Sequence, residues 1–296
     1  MRGLKFFITD VFGREKYSGN QLATFAGGGS LPESEMQKIA REINFSETTF
    51  IMSDRAGDGG YPVRIFTPAR EIDFAGHPSL GTAYIINTHV AKQKADRVVL
   101  NLNVGQIPVV FSEEENNAIL WMEQIEPSFG NSFGAGIIAG MLGLPGDALD
   151  ASGPVQEVST GLPHLIVPLK NLGALERAAL DRELYFNLIN EGLPPCVLVF
   201  CPEGHDASHA VSVRMFADYL GISEDPATGS GNGCLAAYLV RHRYFKSDRV
   251  DLAVGQGYEI GRPSLLRLKA EEDGNGRIRV SVGGSVIPIA EGVWFP

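Results

Sequence analysis

RIFTPAREIDFAGHPSLGTAYII, residues 64–86, and RMFADYLGISEDPATGSGNGCLAAYLV, residues 214–240, are two versions of one segment. Each opens on Arg, an aliphatic residue or Met, and Phe. Each continues through an Asp, an Ala two residues later and a Gly, and closes on Ala-Tyr followed by two aliphatic residues. From Arg64 to Arg214, Asp73 to Asp225 and Tyr84 to Tyr238 the offset is 150, 152 and 154 residues. Leu102-Asn-Val-Gly-Gln106 against Leu252-Ala-Val-Gly-Gln256 adds a further match at an offset of 150. Matches in the same order at nearly constant spacing point to an internal duplication. Its period, about half the chain, is far beyond the ~20–50 residues of a solenoid repeat. The expectation is two similar lobes with a cleft between them, because clefts at domain interfaces are favoured ligand sites.

The surrounding sequence reads as mixed α and β. Lys5 to Asp10, Thr48 to Ser53, Val98 to Leu102, Gln106 to Phe111, Leu165 to Leu169, Val197 to Phe200 and Arg277 to Val282 are short, β-rich and bounded by Gly, Pro or Asn. Pro32 to Ile43 reads as a helix with apolar residues at Met36, Ile39, Ala40 and Ile43. His77 to Asn87 and Ser230 to His242 read as one core helix in each half. Most strands lie in consecutive runs, which favours antiparallel or mixed sheets over a doubly wound parallel one. The best boundary between halves is the Gly- and polar-rich stretch around Gln124 to Ser132, giving an N-terminal lobe over 1–125 and a C-terminal lobe over 126–286.

Composition narrows the function. The 296 residues carry 25 Lys+Arg against 35 Asp+Glu, a net charge of −10, so the basic footprint of a nucleic-acid binder is missing. No polybasic run suggests a membrane surface, and no apolar run approaches the ~18–20 residues of a transmembrane helix. The apolar start is broken at Thr9 and Asp10, too short for a secretory signal. Cys196, Cys201 and Cys234 form an odd set without metal-type spacing, which predicts a reducing, cytoplasmic home.

The repeated motif places a loop before a helix twice: Asp73-Phe-Ala-Gly-His77 and Asp225-Pro-Ala-Thr-Gly-Ser230. Backbone N–H groups at a helix start bind anions, and Gly76, Gly229 and Gly231 let the backbone come close to a ligand. A small carboxylate suits such a place. His77 and Ser230 take equivalent positions after their glycines, and both can donate or exchange a proton. Asp225 and Ser230 also read as ordinary helix caps; their pairing through the repeat favours function. Glu47, between Phe45 and Phe50, is a carboxylate in partly apolar surroundings, which suits a general acid/base near neutrality. A solvated loop glutamate is the commoner fate of this residue type.

Other patterns carry less. His205 and His209 are four apart but lack an evident third metal ligand, so no metal is expected. Gly134, Gly136 and Gly140 have GxGxxxG spacing, unlike a dinucleotide fingerprint, and no clear strand pattern precedes them in the sequence. Cys234 reads as a buried structural thiol. No nucleophile elbow is present.

DVFGREKYSGNQLATF from Asp10, NFSETTF from Asn44, IDFAGHPSLGTAYII from Ile72, TGLPHLIVPL from Thr160 and EDPATGSGNGCLAAYLV from Glu224 together resemble the phenazine-biosynthesis isomerase (PhzF-like) family across nearly the whole chain. The resemblance implies an α+β, diaminopimelate-epimerase-like fold: two pseudo-symmetric lobes, each a mostly antiparallel sheet wrapped around a central helix. In that fold the segment from Ile287 to Pro296 returns to the first lobe. It also implies a homodimer and no cofactor. By matching motif, Glu47 takes the acid/base role, and His77 and Asp225 assist proton movement. Ser230, Gly76, Gly229 and Gly231 contact substrate, and Asn20 and His164 line the cleft. The family's GNP near the amino terminus is GNQ here.

Related amino-acid epimerases use two cysteines, which by motif would fall near Ala75 and Ala227; both are alanine here. The resemblance therefore implies a hydrogen shift run by one carboxylic residue, as in isomerisation of trans-2,3-dihydro-3-hydroxyanthranilate. An epimerase or racemase acting on another small amino or hydroxy acid is the alternative within enzymes. A non-catalytic small-molecule binder is the alternative outside them.

Overall fold

The computed structural model describes residues 3–114 and 117–296. The chain divides into two compact units, Met1–Met122 with Gly283–Pro296, and Glu123–Val282. The first unit contains β1 (Leu4–Val11), β2 (Asn20–Ala26), α1 (Glu33–Ile43), β3 (Glu47–Ile51), β4 (Tyr61–Phe66), β5 (Glu71–Ile72), α2 (Gly76–Ile85), β6 (Arg97–Leu102), β7 (Gly105–Glu114) and β8 (Asn117–Glu123). The second contains β9 (Ser128–Phe133), α3 (Ala135–Met141), β10 (Val155–Ser159), β11 (Pro163–Pro168), α4 (Leu172–Arg177), α5 (Arg182–Asn190), β12 (Cys196–Cys201), β13 (Val211–Phe216), α6 (Gly229–Arg241), β14 (Arg249–Gln256), β15 (Ser264–Glu272) and β16 (Ile278–Gly284). A last strand, β17 (Val286–Trp294), pairs antiparallel with β1.

The fold is α+β, and its pairing is mixed. Hairpins such as β6/β7 and β14/β15 are antiparallel, whereas β2/β3, β4/β6, β11/β12 and β13/β14 are parallel. Every one of these parallel pairs has a helix in its connection: α1, α2, α4 with α5, and α6 respectively. Parallel neighbours need a long crossover, and a helix supplies it. The order strand, helix, parallel strand therefore occurs twice in each unit.

Helix α1 follows its sequence pattern. Pro32 caps it, Glu33 and Glu35 stand in the first turn where the dipole favours acids, and Asn44 ends it at φ 57°. Met36, Ile39 and Ala40 pack on Ala23, Phe25, Phe50 and Phe66. Helix α2 instead has nine of its ten residues buried, so it is a core helix and not a surface one. It contacts β1, β2 and β3, continues as a π-helical turn over Ile86–Val90, and Ala91 N–H closes that turn on the Ile86 carbonyl at 2.7 Å. Helix α6 is likewise buried at eleven of thirteen positions. It contacts β10, β11, β14 and β15. On β12, Val197, Val199 and Cys201 point to the core formed with α3, α4 and α5. The alternate residue Phe200 meets Tyr238 of α6.

One strand is added to the sequence reading and one expectation is corrected. Ser128–Phe133, overlapping the boundary stretch Gln124 to Ser132, forms β9 and pairs with β10. Its side chains are largely exposed, so backbone pairing and not apolar burial makes this strand, and a polar composition hides it. The match between Leu102–Gln106 and Leu252–Gln256 is also one of letters alone. Leu102 pairs with Gly105 across a two-residue hairpin turn, with Gly105 at φ 118°, whereas Leu252 to Gln256 runs straight within β14. Among the described residues no helix is long and apolar enough to cross a membrane.

Candidate active site

In the first unit, strand alternation delivers Glu47 to α2. Thr49 is hydrogen bonded to Thr24 of β2 at 2.9 Å and to Thr82 of α2 at 2.8 Å, so the odd positions of β3 face α2. Phe50 takes the opposite face and joins the α1 core. Glu47, two residues before Thr49, thereby reaches the start of α2, where its Oε2 lies 3.4 Å from His77 Nε2. Both side chains are nearly buried, at 13% and 6% exposure.

His77 is the second residue of α2, and the Gln21 backbone carbonyl accepts a hydrogen bond from its ring. Its Nε2 is buried and, among the described residues, lacks a partner of hydrogen-bond geometry. Burial, only partly offset by that carbonyl, pushes the imidazole down to about 3. His77 is therefore neutral near pH 7. Asn20, at the head of β2 beside Gln21, is buried at the same end of α2. Gly76 is the first residue of the helix, and the α2 N-cap carries no side-chain capping bond.

In the second unit, Gly229 and Ser230 are the first two residues of α6, in the places that Gly76 and His77 hold on α2. The N-cap is Thr228, whose side chain makes no capping bond to the helix. Its hydroxyl donates instead to Asp225 Oδ2 at 2.5 Å. The capping reading of Ser230 thus fails, since Ser230 lies inside the first turn, half-buried. His164, on β11, is wholly buried; its Nδ1 donates to the Leu162 carbonyl at 2.8 Å, and its Nε2 has no hydrogen-bond partner among the described residues. Burial pushes this imidazole down to about 4. A Cβ on Gly231 would stand 3.1 Å from His164 Nε2 and 2.9 Å from Leu198, so only glycine lets α6 approach β11 so closely.

Glu47, His77, Asn20 and Gly76 thus gather at the head of α2, and Gly229, Ser230, Gly231, Asp225 and His164 at the head of α6. Sequence reasoning missed Gln21, Thr228 and Gln256. Thr228 sat within a quoted motif, and Gln256 was visible as one end of a repeat match, but neither signal said what the side chain holds. His205 and His209 turn to protein partners. His205 bonds Ser212 at 2.9 Å and Glu259 at 3.0 Å, and His209 Nε2 accepts from the His205 N–H at 3.0 Å. Cys234 is buried 3.7 Å from His164 Nδ1, and burial pushes its thiol up to about 12. It stays protonated.

The fold is one that this chain shares with amino-acid racemases. A probable proline racemase from Agrobacterium radiobacter superposes with a TM-score of 0.63 at 11% identity, covering 98% of this chain and 92% of that one. Closer likeness lies elsewhere. The family model for phenazine biosynthesis-like proteins matches residues 9–292, and the chain belongs to that family. It is 33% identical to the trans-2,3-dihydro-3-hydroxyanthranilate isomerase of Pseudomonas aeruginosa over 97% of this chain and 98% of the relative. A Bacillus anthracis phenazine biosynthesis protein of the PhzF family superposes with a TM-score of 0.90 at 28% identity, covering both chains completely. The protein is an isomerase.

Proposed function

We propose that this isomerase moves a proton on a small carboxylate without a cofactor, in a reaction similar to that named for its Pseudomonas relative, with Glu47 as the acid/base. The observation that carries the reading is the approach of Glu47 Oε2 to the neutral His77 Nε2 at 3.4 Å. A histidine pushed down to about 3 is a poor proton store at neutral pH. In the tautomer that carries its proton on Nδ1, Nε2 offers a lone pair. Glu47 is then the group that holds a proton taken from substrate, and the Nε2 lone pair steadies the resulting carboxylic acid until the proton is returned.

On trans-2,3-dihydro-3-hydroxyanthranilate the steps balance simply. The Glu47 carboxylate removes the proton from the ring carbon bearing the hydroxyl, the electron pair moves along the diene, and the same carboxyl protonates a carbon further along. Nothing is oxidised or reduced overall. By the family resemblance, His77 and Asp225 assist proton movement, Ser230, Gly76, Gly229 and Gly231 take substrate-contacting roles, and Asn20 and His164 take binding roles. The alanines at 75 and 227 leave no thiol pair for a two-cysteine racemase.

The test runs wild type and Glu47→Gln with that substrate in deuterated buffer, followed by absorbance and mass spectrometry. Wild type should form isomerised product, and Glu47→Gln should lose roughly 10²–10⁴-fold in kcat with an unchanged unfolding midpoint. Turnover by Glu47→Gln within a few-fold of wild type would overturn the acid/base role. No conversion by wild type would overturn the substrate and turn the search to other small carboxylates, with deuterium uptake as the readout.

A further inference from the structure

Gln256, at the end of β14, is wholly buried and uses its whole amide. Its Oε1 accepts from the Thr228 backbone N–H at 3.1 Å and from Asn232 Nδ2 at 2.8 Å. Its Nε2 donates to the Asp225 carbonyl at 2.8 Å and to Thr228 Oγ1 at 3.0 Å. The orientation of this amide is dictated by its partners: a backbone N–H can only donate and a backbone carbonyl can only accept. Asn232 is fixed in the same way, because its Nδ2 also donates to the Thr228 carbonyl at 3.0 Å.

The consequence falls on the Thr228 hydroxyl. It receives a hydrogen bond from Gln256 Nε2, so its own hydrogen has one short acceptor in reach, Asp225 Oδ2 at 2.5 Å. A hydroxyl that donates to Oδ2 excludes a proton bound at Oδ2 along the same line. The backbone of Asp225 is pinned as well, since its N–H donates to the Met215 carbonyl at 3.0 Å. Next to it, Glu224 takes both Nε and Nη2 of Arg214, at 2.9 and 2.8 Å.

We infer that Gln256 and Thr228 are positioning residues for Asp225: they hold its carboxylate in one rotamer, with Oδ2 accepting from the Thr228 hydroxyl. The inference rests on the part given to Asp225 under the proposed function. It goes beyond that reading by assigning two further residues.

The experiment uses the full chain and four variants: Asp225→Asn, Thr228→Val, Thr228→Ser and Gln256→Leu. Thr228→Val keeps the volume and removes the hydroxyl, and Thr228→Ser restores the hydroxyl. With trans-2,3-dihydro-3-hydroxyanthranilate, Thr228→Val and Gln256→Leu should lose about tenfold or more in kcat, the scale of a misplaced group, with KM little changed. Thr228→Ser should recover most of the loss, which a merely structural role for Thr228 would not predict. Crystal structures of Thr228→Val and Thr228→Ser give a readout that needs no turnover: Asp225 should leave its rotamer in the first and keep it in the second. An unmoved Asp225 in Thr228→Val overturns the inference. So does wild-type kcat in Thr228→Val while Asp225→Asn is inactive, and that result leaves the proposed function standing. Wild-type kcat in Asp225→Asn removes Asp225 from the reaction and overturns the inference together with the part given to Asp225, while Glu47 as acid/base stands.

Discussion

The heads of α2 and α6 carry versions of one sequence motif and are held in opposite ways. Asp73 and Asp225 are equivalent in the repeat, yet Asp73 is exposed and accepts a hydrogen bond from Asn103 Nδ2 at 3.2 Å, whereas Asp225 is 5% exposed and braced by Thr228. Gln106 and Gln256 match in letters, but Gln106 holds an exposed turn through the Asp58 carbonyl at 2.6 Å, while Gln256 ties Asp225 to α6. The arginines did stay alike. Arg64 grips Glu71 through Nε and Nη2 and lies 5.1 Å from the Phe66 ring; Arg214 grips Glu224 in the same fashion, 5.0 Å from Phe216. What the two heads share is the clamp that fixes each loop to its strand. What diverged is the chemistry at the helix start: a carboxylate and a neutral imidazole at α2, a carboxylate with a threonine and glutamine brace at α6.

The largest contrast concerns the two aspartates. Asp225→Asn should remove most turnover, roughly 10²-fold or more, and Asp73→Asn should leave kcat and KM within about twofold. Steady-state kinetics of both variants checks this, and equal losses would mean that the heads remain functional equals.

The two clamps should differ next. Arg214 also donates to the carbonyls of Leu175, Glu176 and Ala178, and its side chain is 10% exposed against 24% for Arg64. Arg214→Met strands a buried Glu224 carboxylate and should cost about 3–5 kcal/mol. Arg64→Met, closer to water, should cost about 1–2 kcal/mol. Urea unfolding followed by circular dichroism measures both. A smaller cost at Arg214 than at Arg64 would break the comparison.

The glutamines follow. Gln256→Ala leaves several buried groups without partners and should destabilise by about 2–3 kcal/mol, whereas Gln106→Ala should stay within about 0.5 kcal/mol. Thermal unfolding of the two variants separates them.

The smallest effect is a pH slope shared between the halves. Burial holds His77 at about 3 and His164 at about 4, against an ordinary 6.5. Above that ordinary value both are neutral whether folded or unfolded, and their contribution is constant. Below it the unfolded chain binds protons that the folded chain refuses, so stability declines as pH drops toward the two lowered values. Each histidine adds one proton, or ~1.4 kcal/mol per pH unit. His77→Gln and His164→Gln should each flatten the decline by up to that amount in urea titrations between about pH 4.5 and 6. Unequal flattening would show that one head is more closed to water than the other.

Much of this was open to reading in the letters. The repeat, the two core helices and the residues at their starts follow from spacing, because a duplicated motif preserves its glycines and its Arg-to-helix order. The periodicity of α1 was equally plain. Strands such as β2, β4 and β13 were not, since NQLATFA, YPVRIF and VSVRMF carry no clean alternation and lie buried on both faces or beside a helix. β9 was hidden by its polarity.

The candidate acid/base was legible as an unusual glutamate, but its partner was not. Glu47 and His77 are thirty residues apart, and only the pairing of β3 with β2 and the crossing of α2 bring them within 3.4 Å. The sequence by itself determined the family, the α+β class and which loops precede the two core helices, because these depend on local pattern and motif. The tertiary structure alone decided that Asp225 is braced and Asp73 is not, that Gln256 is a buried hub and Gln106 a surface residue, and that His77 is neutral. Burial and hydrogen-bond partners come from residues distant in the chain, and identical letters take different roles when the strands beside them differ.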